Sequence, residues 1–181
     1  MLRLPIHEAV TFVMVHPHYP ENVGAAARAI KTMGFFQLAL VKPSKIAVPE
    51  HEMALKMAVK SWDVLESARR YQTLPEAIEQ SDWVLSTTSR RGFSGVLTAR
   101  AAAPGVVERA ARAEKIAIVL GNEKTGLSAE DHARCHAAVR IPMAADQPSV
   151  NLAQAAQILA YELFVAALEA RARSRHPDVT G

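Results

Sequence analysis

The chain has 181 residues, 50% apolar and 22% charged, with 21 Lys and Arg against 18 Asp and Glu for a net charge of +3. This balance suits one packed domain and excludes a globally disordered chain; it permits a nucleic-acid partner without demanding one. Cys135 is the only cysteine, which rules out an intrachain disulfide and fits a reducing, cytoplasmic setting. Pro5, His7 and Glu8 interrupt any signal-peptide core, and no apolar run approaches the roughly 20 residues of a membrane span.

Residues 9–15, AVTFVMV, form a short apolar run rich in β-formers and read as a buried strand. After the loop HPHYPEN, residues 22–33 are rich in alanine and predict a helix that Gly34 ends. A second strand is expected at 36–41, a proline-bounded connection and a mixed stretch next, then a short helix at 74–81 with Pro75 near its first turn. A third strand, 83–88, leads into the basic, glycine-bearing loop SRRGFSGVLTAR at 89–100. A helix at 104–115, a buried strand at 116–121, a helix from Ser128 to Cys135 and a strand at 137–142 follow. The long helix 151–175 places Leu152, Ala155, Ala156, Leu159, Leu163 and Ala166 along one stripe. Strands with continuous apolar runs, alternating with helices, imply an α/β fold: a mostly parallel sheet with helices on both faces and ligands at the strands' carboxyl ends. The domain is expected over 1–170, with 171–181 as a short basic tail.

The chemistry-bearing residues collect in three loops that follow strands. In PENVGAAARAIKTMGF, Asn22 is a candidate helix cap, and Gly24 lets something approach the first turn. Arg28, alone among alanines, is either a solvated residue or a charge aimed at an anion. In LGNEKTGLS, Gly121 follows a strand directly and Glu123 can accept from an amine or hydroxyl or pair with arginine. The loop falls short of a phosphate-binding P-loop because Leu127 stands where that motif needs lysine. It is also readable as a plain turn. In IPMAADQPSVNLAQAA, Ser149 and Asn151 sit at a helix entrance, where capping alone would explain them.

In this order, over residues 20–163, the three segments resemble the motifs of the SPOUT class of RNA methyltransferases, in its SpoU branch of the TrmJ and TrmH type. The resemblance implies a deep C-terminal trefoil knot, against the general rule for chain topology, and a homodimer with the site at or near its interface. It implies S-adenosylmethionine as cofactor, with S-adenosylhomocysteine as product, and methyl transfer to an RNA ribose 2′-hydroxyl. The RNA expected is tRNA, including anticodon-loop position 32, with rRNA as the alternative. Cofactor contacts are expected from Thr87, Thr88, Leu120, Gly121, Gly126, Ile141, Met143, Val150 and Leu152. The reacting groups would be Arg28, Asn22, Glu123, Ser149 and Asn151. Arginine is effectively never deprotonated. Arg28 is therefore expected to grip a phosphate and stabilise charge on the oxygen, while a phosphate oxygen or water takes the proton.

RNA contacts are expected from Arg90, Arg91, Arg100 and Lys31, with Arg3, Lys42 and Lys45 as further candidates. Leu159, Tyr161, Leu163 and Phe164 are candidates for the subunit interface, and Trp62 for core or interface. TrmJ-type proteins commonly carry a C-terminal extension that helps bind tRNA. This chain has only EARARSRHPDVTG there, so it is expected to be a shortened or naturally minimal enzyme. His132, Cys135 and His136 lack a fourth ligand for a metal and no metal is expected. The rival readings are an RNA-binding protein that has lost catalysis on the same scaffold, and a nucleotide-binding α/β protein, which Leu127 argues against.

Overall fold

The computed structural model describes residues 2–90, 94–145 and 147–175. Its strands are β1 (Val10–Val15), β2 (Gln37–Val41), β3 (Arg69–Tyr71), β4 (Trp83–Thr87), β5 (Leu97–Thr98), β6 (Ile116–Leu120) and β7 (Ala137–Arg140). They form one parallel sheet in the order β3-β2-β1-β6-β4-β7-β5. The five apolar runs are the five inner strands; β3 and β5 are short edges. Strand side chains alternate between faces. Phe12, Met14, Leu38, Leu40, Ile116, Ile118 and Leu120 enter one core. The smaller Val13, Val15, Ala39, Val41, Ala117 and Val119 enter the other.

The large side chains are covered by α1 (Pro5–Ala9), α2 (Pro20–Thr32), α3 (Glu52–Ala58), α4 (Trp62–Glu66), α6 (Ala99–Ala111) and α8 (Leu152–Arg175). The opposite face has a thinner cover. It consists of α5 (Leu74–Ile78), together with Leu127 and Cys135, which flank α7 (Ala129–Ala133). The central helix α8 buries Leu152, Leu159 and Leu163 among small Ala153, Ala156, Ala160 and Ala167 and packs on α2 and α6. Each buried leucine stabilises the fold by about 1.5–3 kcal/mol. The buried stripe is therefore wider than the expected one, while Ala155 and Ala166 are half-buried.

The helix ends at Arg175, where it was expected to end, so residues 171–175 of the expected tail are helical, and 176–181 lie outside the described residues. By length and composition it is also long and apolar enough to cross a membrane. Counting uninterrupted apolar runs misses this, but its buried stripe makes it a core helix here.

Asn22 is not the cap of α2. Pro20 occupies the first helical turn and Tyr19 is the N-cap, which places Asn22 inside the helix, 8% exposed. Gly24 does permit a close approach, but by α3: a Cβ there would sit 2.0 Å from the Ala54 carbonyl oxygen. Strand order also bears on the knot. The connection from β4 to β5 must bridge β7, which lies between them. The segment leading to α8 leaves the carboxyl end of that same strand, an arrangement compatible with the implied knot.

Candidate active site at the carboxyl ends of the strands

Beyond the carboxyl ends of β4, β6 and β7 lies a cleft of about 650 Å³, counting its open mouth. Each of its walls comes from a segment singled out in the sequence. Thr87 ends β4 and Thr88 follows it, Leu120 ends β6 with Gly121 and Gly126 beyond it, Ile141, Met143 and Val150 lie between β7 and α8, and Leu152 begins α8. All nine expected cofactor contacts line this one cleft, as do Glu123 and Ser149. Thr87 is fixed by its hydroxyl donating to the Val119 carbonyl at 2.9 Å, and Thr88 by its N–H donating to the Val139 carbonyl at 2.9 Å.

The 121–128 loop folds tightly on itself. A Cβ at Gly121 would fall 2.4 Å from the Leu127 nitrogen, so this glycine serves loop closure, and Gly126 takes a φ of 68° that favours glycine. The Asn122 side-chain oxygen accepts from Lys124 N at 2.8 Å and Thr125 N at 3.1 Å, which sets the turn. Asn122 itself lines the cleft and was missed; its place between Gly121 and Glu123 in a turn was the available signal. Leu127 is 2% exposed in the core beneath, so the comparison with a P-loop lysine fails on geometry as well as residue type.

A chain of hydrogen bonds ties the three motif segments together. The Glu123 carboxylate accepts from His18 N at 2.9 Å, Tyr19 N at 3.2 Å and the Asn22 amide at 2.8 Å. The Asn22 side-chain oxygen accepts from the Asn151 amide at 3.0 Å. The Asn151 side-chain oxygen in turn accepts from Ala153 N at 2.9 Å and Gln154 N at 3.2 Å and caps α8. Glu123 places its negative charge at the start of α2, where the helix dipole favours it. Asn151 is thus both cap and link; Ser149 lies at the cleft but does not cap.

No lysine or arginine lines the cleft among the described residues. Arg28 is exposed, and its guanidinium has no ion pair among them. Six residues beyond Asn22, it lies about 9 Å along the helix and about 240° around it, away from the hydrogen-bonded face. Lys31 is engaged elsewhere, donating to Asp63 at 2.6 Å and to the Lys60 carbonyl at 2.9 Å. Arg100 makes a two-point pair with Glu162 at 3.1 and 3.0 Å. Arg90 reaches the cleft loop, donating to the Thr125 carbonyl at 3.3 Å. Arg91 lies outside the described residues.

Other candidates separate likewise. His132 Nδ1 lies 2.9 Å from the Ser86 hydroxyl, His136 Nδ1 accepts from Val84 N at 2.9 Å, and Cys135 Sγ lies 3.2 Å from the Asp131 carbonyl. Burial, then the Arg90 charge, pulls the His132 pKa below its ordinary value. Leu159 and Leu163 belong to the core, Phe164 packs on its edge, and Tyr161 and Trp62 are exposed.

Residues 9–161 match the SpoU rRNA Methylase family. The tRNA (cytidine/uridine/adenosine-2′-O-)-methyltransferase TrmJ of Pseudomonas aeruginosa is 36% identical over 168 residues, 92% of this chain and 64% of that protein. The tRNA (cytidine-2′-O-)-methyltransferase TrmJ of Methanocaldococcus jannaschii is 32% identical over 160 residues, 86% of this chain and 67% of that protein. This chain therefore spans about two thirds of the length of these curated relatives. A solved probable methyltransferase from Bordetella pertussis is similar with a TM-score of 0.85 and 36% identity, covering 90% of this chain and 98% of that one. The order of the three motif segments, the hydrogen-bond chain that joins them beside the cleft and these likenesses agree: the chain belongs to the SpoU rRNA Methylase family.

Proposed function

We propose that this protein transfers a methyl group from S-adenosylmethionine to a ribose 2′-hydroxyl of RNA, with tRNA as substrate and the cytoplasm as its place of work. The observation that carries this reading is the cleft, lined by the second and third motif segments and the end of β4, with the first segment tied to it by the Glu123–Asn22–Asn151 chain. Its lining suits the cofactor: Leu120, Val139, Ile141, Val150 and Leu152 offer an apolar wall, Glu123 offers an anion, and among the described residues no lining cation would repel a sulfonium. The same lining is poor for a triphosphate. When bound, the cofactor supplies a methyl group on an excellent leaving group. What remains for the chain is alignment and charge.

Glu123, Asn22 and Asn151 hold the start of α2 and of α8 against the cleft loop. Ser149, beside the mouth, is placed to meet the RNA. Arg28 is not among the residues lining its own cleft, so its role requires a second copy of the chain whose cleft it meets across the dimer. The outward side of α8 carries apolar Ile158, Tyr161, Val165 and Leu168 at heptad-like spacing, which supports a homodimer through α8. There Arg28, still cationic, grips the phosphate beside the target ribose and stabilises charge on the attacking oxygen, while a phosphate oxygen or water accepts the proton. Two measurements test this: titration with S-adenosylmethionine against ATP by calorimetry, and methyl transfer to tRNA and rRNA. Binding of S-adenosylmethionine alone with transfer to tRNA supports it. Cofactor binding without transfer to either RNA would mark a binder that has lost catalysis.

A further inference from the structure

A second groove lies across the 121–128 loop from the cleft, and Gly126 lines both. It spans about 1270 Å³, open side included, beyond the carboxyl ends of β1 and β2. His16 and Lys42, the residues that follow those strands, both take left-handed backbone conformations, with φ of 51° and 42°. Neither is glycine, and such conformations persist only where the surroundings hold them; they collect at functional sites. Here His16 N donates to the Val41 carbonyl at 2.8 Å and Lys42 N to the Tyr71 carbonyl at 2.8 Å. Asn122, from the cleft loop, donates to the His16 carbonyl at 2.6 Å. Both side chains are exposed and line the groove, together with Arg90 and Arg134. The carboxylates present are engaged: Glu130 pairs with Arg134 at 2.8 Å, and Asp131 accepts from the Ser128 N–H and hydroxyl at 3.1 and 2.7 Å. Lys42 and Arg90 have no carboxylate partner among the described residues.

The geometry points to this groove as the track for the RNA backbone, with Lys42 and Arg90 as phosphate ligands. The inference rests on the reading above that RNA is the substrate. Two cations without carboxylate partners, Lys42 on rigidly held backbone and Arg90 beside the cleft loop, suit phosphodiesters, which are bound by charge without regard to sequence. The shared Gly126 and the Asn122–His16 bond place this track one loop's thickness from the cleft. A strand whose ribose reaches the cleft can therefore lay its neighbouring phosphates along it.

The test is titration of a fluorescent tRNA transcript with the full chain at about 50 and about 200 mM salt. Lys42→Asn removes the charge while tolerating the left-handed backbone; Lys42→Arg restores the charge. Arg90→Gln is the second variant. Arg112→Gln, at the carboxyl end of α6 and outside the groove, is the control. One phosphate contact accounts for about a 3.5-fold loss of affinity over this fourfold salt change. Lys42→Asn and Arg90→Gln should each bind RNA more weakly at low salt and show a salt-induced drop about 3.5-fold smaller than wild type. Lys42→Arg should recover, Arg112→Gln should match wild type, and S-adenosylmethionine affinity should not change in Lys42→Asn. Wild-type affinity and salt response in both groove variants overturns the track, as does a wild-type chain that binds no RNA. RNA binding that responds to both variants without any methyl transfer supports the track and sinks the enzyme reading.

Discussion

Replacing Glu123 by Gln perturbs the point where the cleft loop meets the start of α2. The carboxylate accepts three hydrogen bonds, from His18 N at 2.9 Å, Tyr19 N at 3.2 Å and the Asn22 amide at 2.8 Å. A glutamine can turn its one oxygen towards Tyr19 and Asn22, but its NH₂ then meets His18 N, donor against donor. Hydrogen bonds to a charged acceptor contribute about 1.5–3 kcal/mol and neutral ones about 0.5–1.5. Two bonds are therefore weakened by about 1 kcal/mol each, and a third is lost. The site is half exposed, so water recovers part of this and the net cost is about 2 kcal/mol. In a domain of this size that lowers Tm by about 4–8 °C. Circular dichroism melting near neutral pH reads it, with the exposed neighbour Lys124→Ala as comparison. A midpoint within about 1 °C of wild type would refute the claim that Glu123 holds the motif segments together.

Gly24→Ala should destabilise by about 3 kcal/mol or more, because its Cβ would lie 2.0 Å from the Ala54 oxygen and α3 must move; urea unfolding measures it. Burial pulls the pKa of His7, and of His132, below 6.5, so the unfolded chain binds more protons under that pH. Stability should be full above pH 6.5 and fall as pH drops towards the folded-state values. His7→Gln, which keeps an acceptor for Leu4 N, should flatten that decline in pH-dependent melting. Burial pushes the Cys135 thiol up to about 11, so iodoacetamide should label it slowly in the folded chain and quickly in denaturant. Arg28→Ala should abolish methyl transfer while leaving Tm and cofactor affinity unchanged, and Arg28→Lys should recover only part, since lysine keeps the charge but loses the fork.

What was legible in the sequence was whatever local pattern dictates. Five inner strands announced themselves as apolar runs because both faces of each are covered. β3 could not be read: Arg69-Arg70-Tyr71 is a largely exposed edge whose pairing with β2 is a long-range choice. β5 has two exposed residues and exists through its pairing with β7. The short α1 and α4 hold five residues each, too few for a periodic stripe. Asn22 looked like a cap by residue type, yet Pro20 already marked an earlier start. The cleft residues were legible only because three motifs came in order. Neither the order of strands in the sheet nor the Asn22–Asn151 bond, 129 residues apart in the chain, leaves a local trace. The outward direction of Arg28 was legible in principle from helical rotation alone.

The most direct test of the account is transfer of a radiolabelled methyl group from S-adenosylmethionine to tRNA, followed by complete alkaline hydrolysis. Alkali cleaves RNA through the 2′-hydroxyl, so a methyl group on that oxygen protects the neighbouring linkage. Label is expected in alkali-resistant dinucleotides with the wild-type chain and none with Arg28→Ala. Label confined to mononucleotides, or equal labelling by Arg28→Ala, would contradict it.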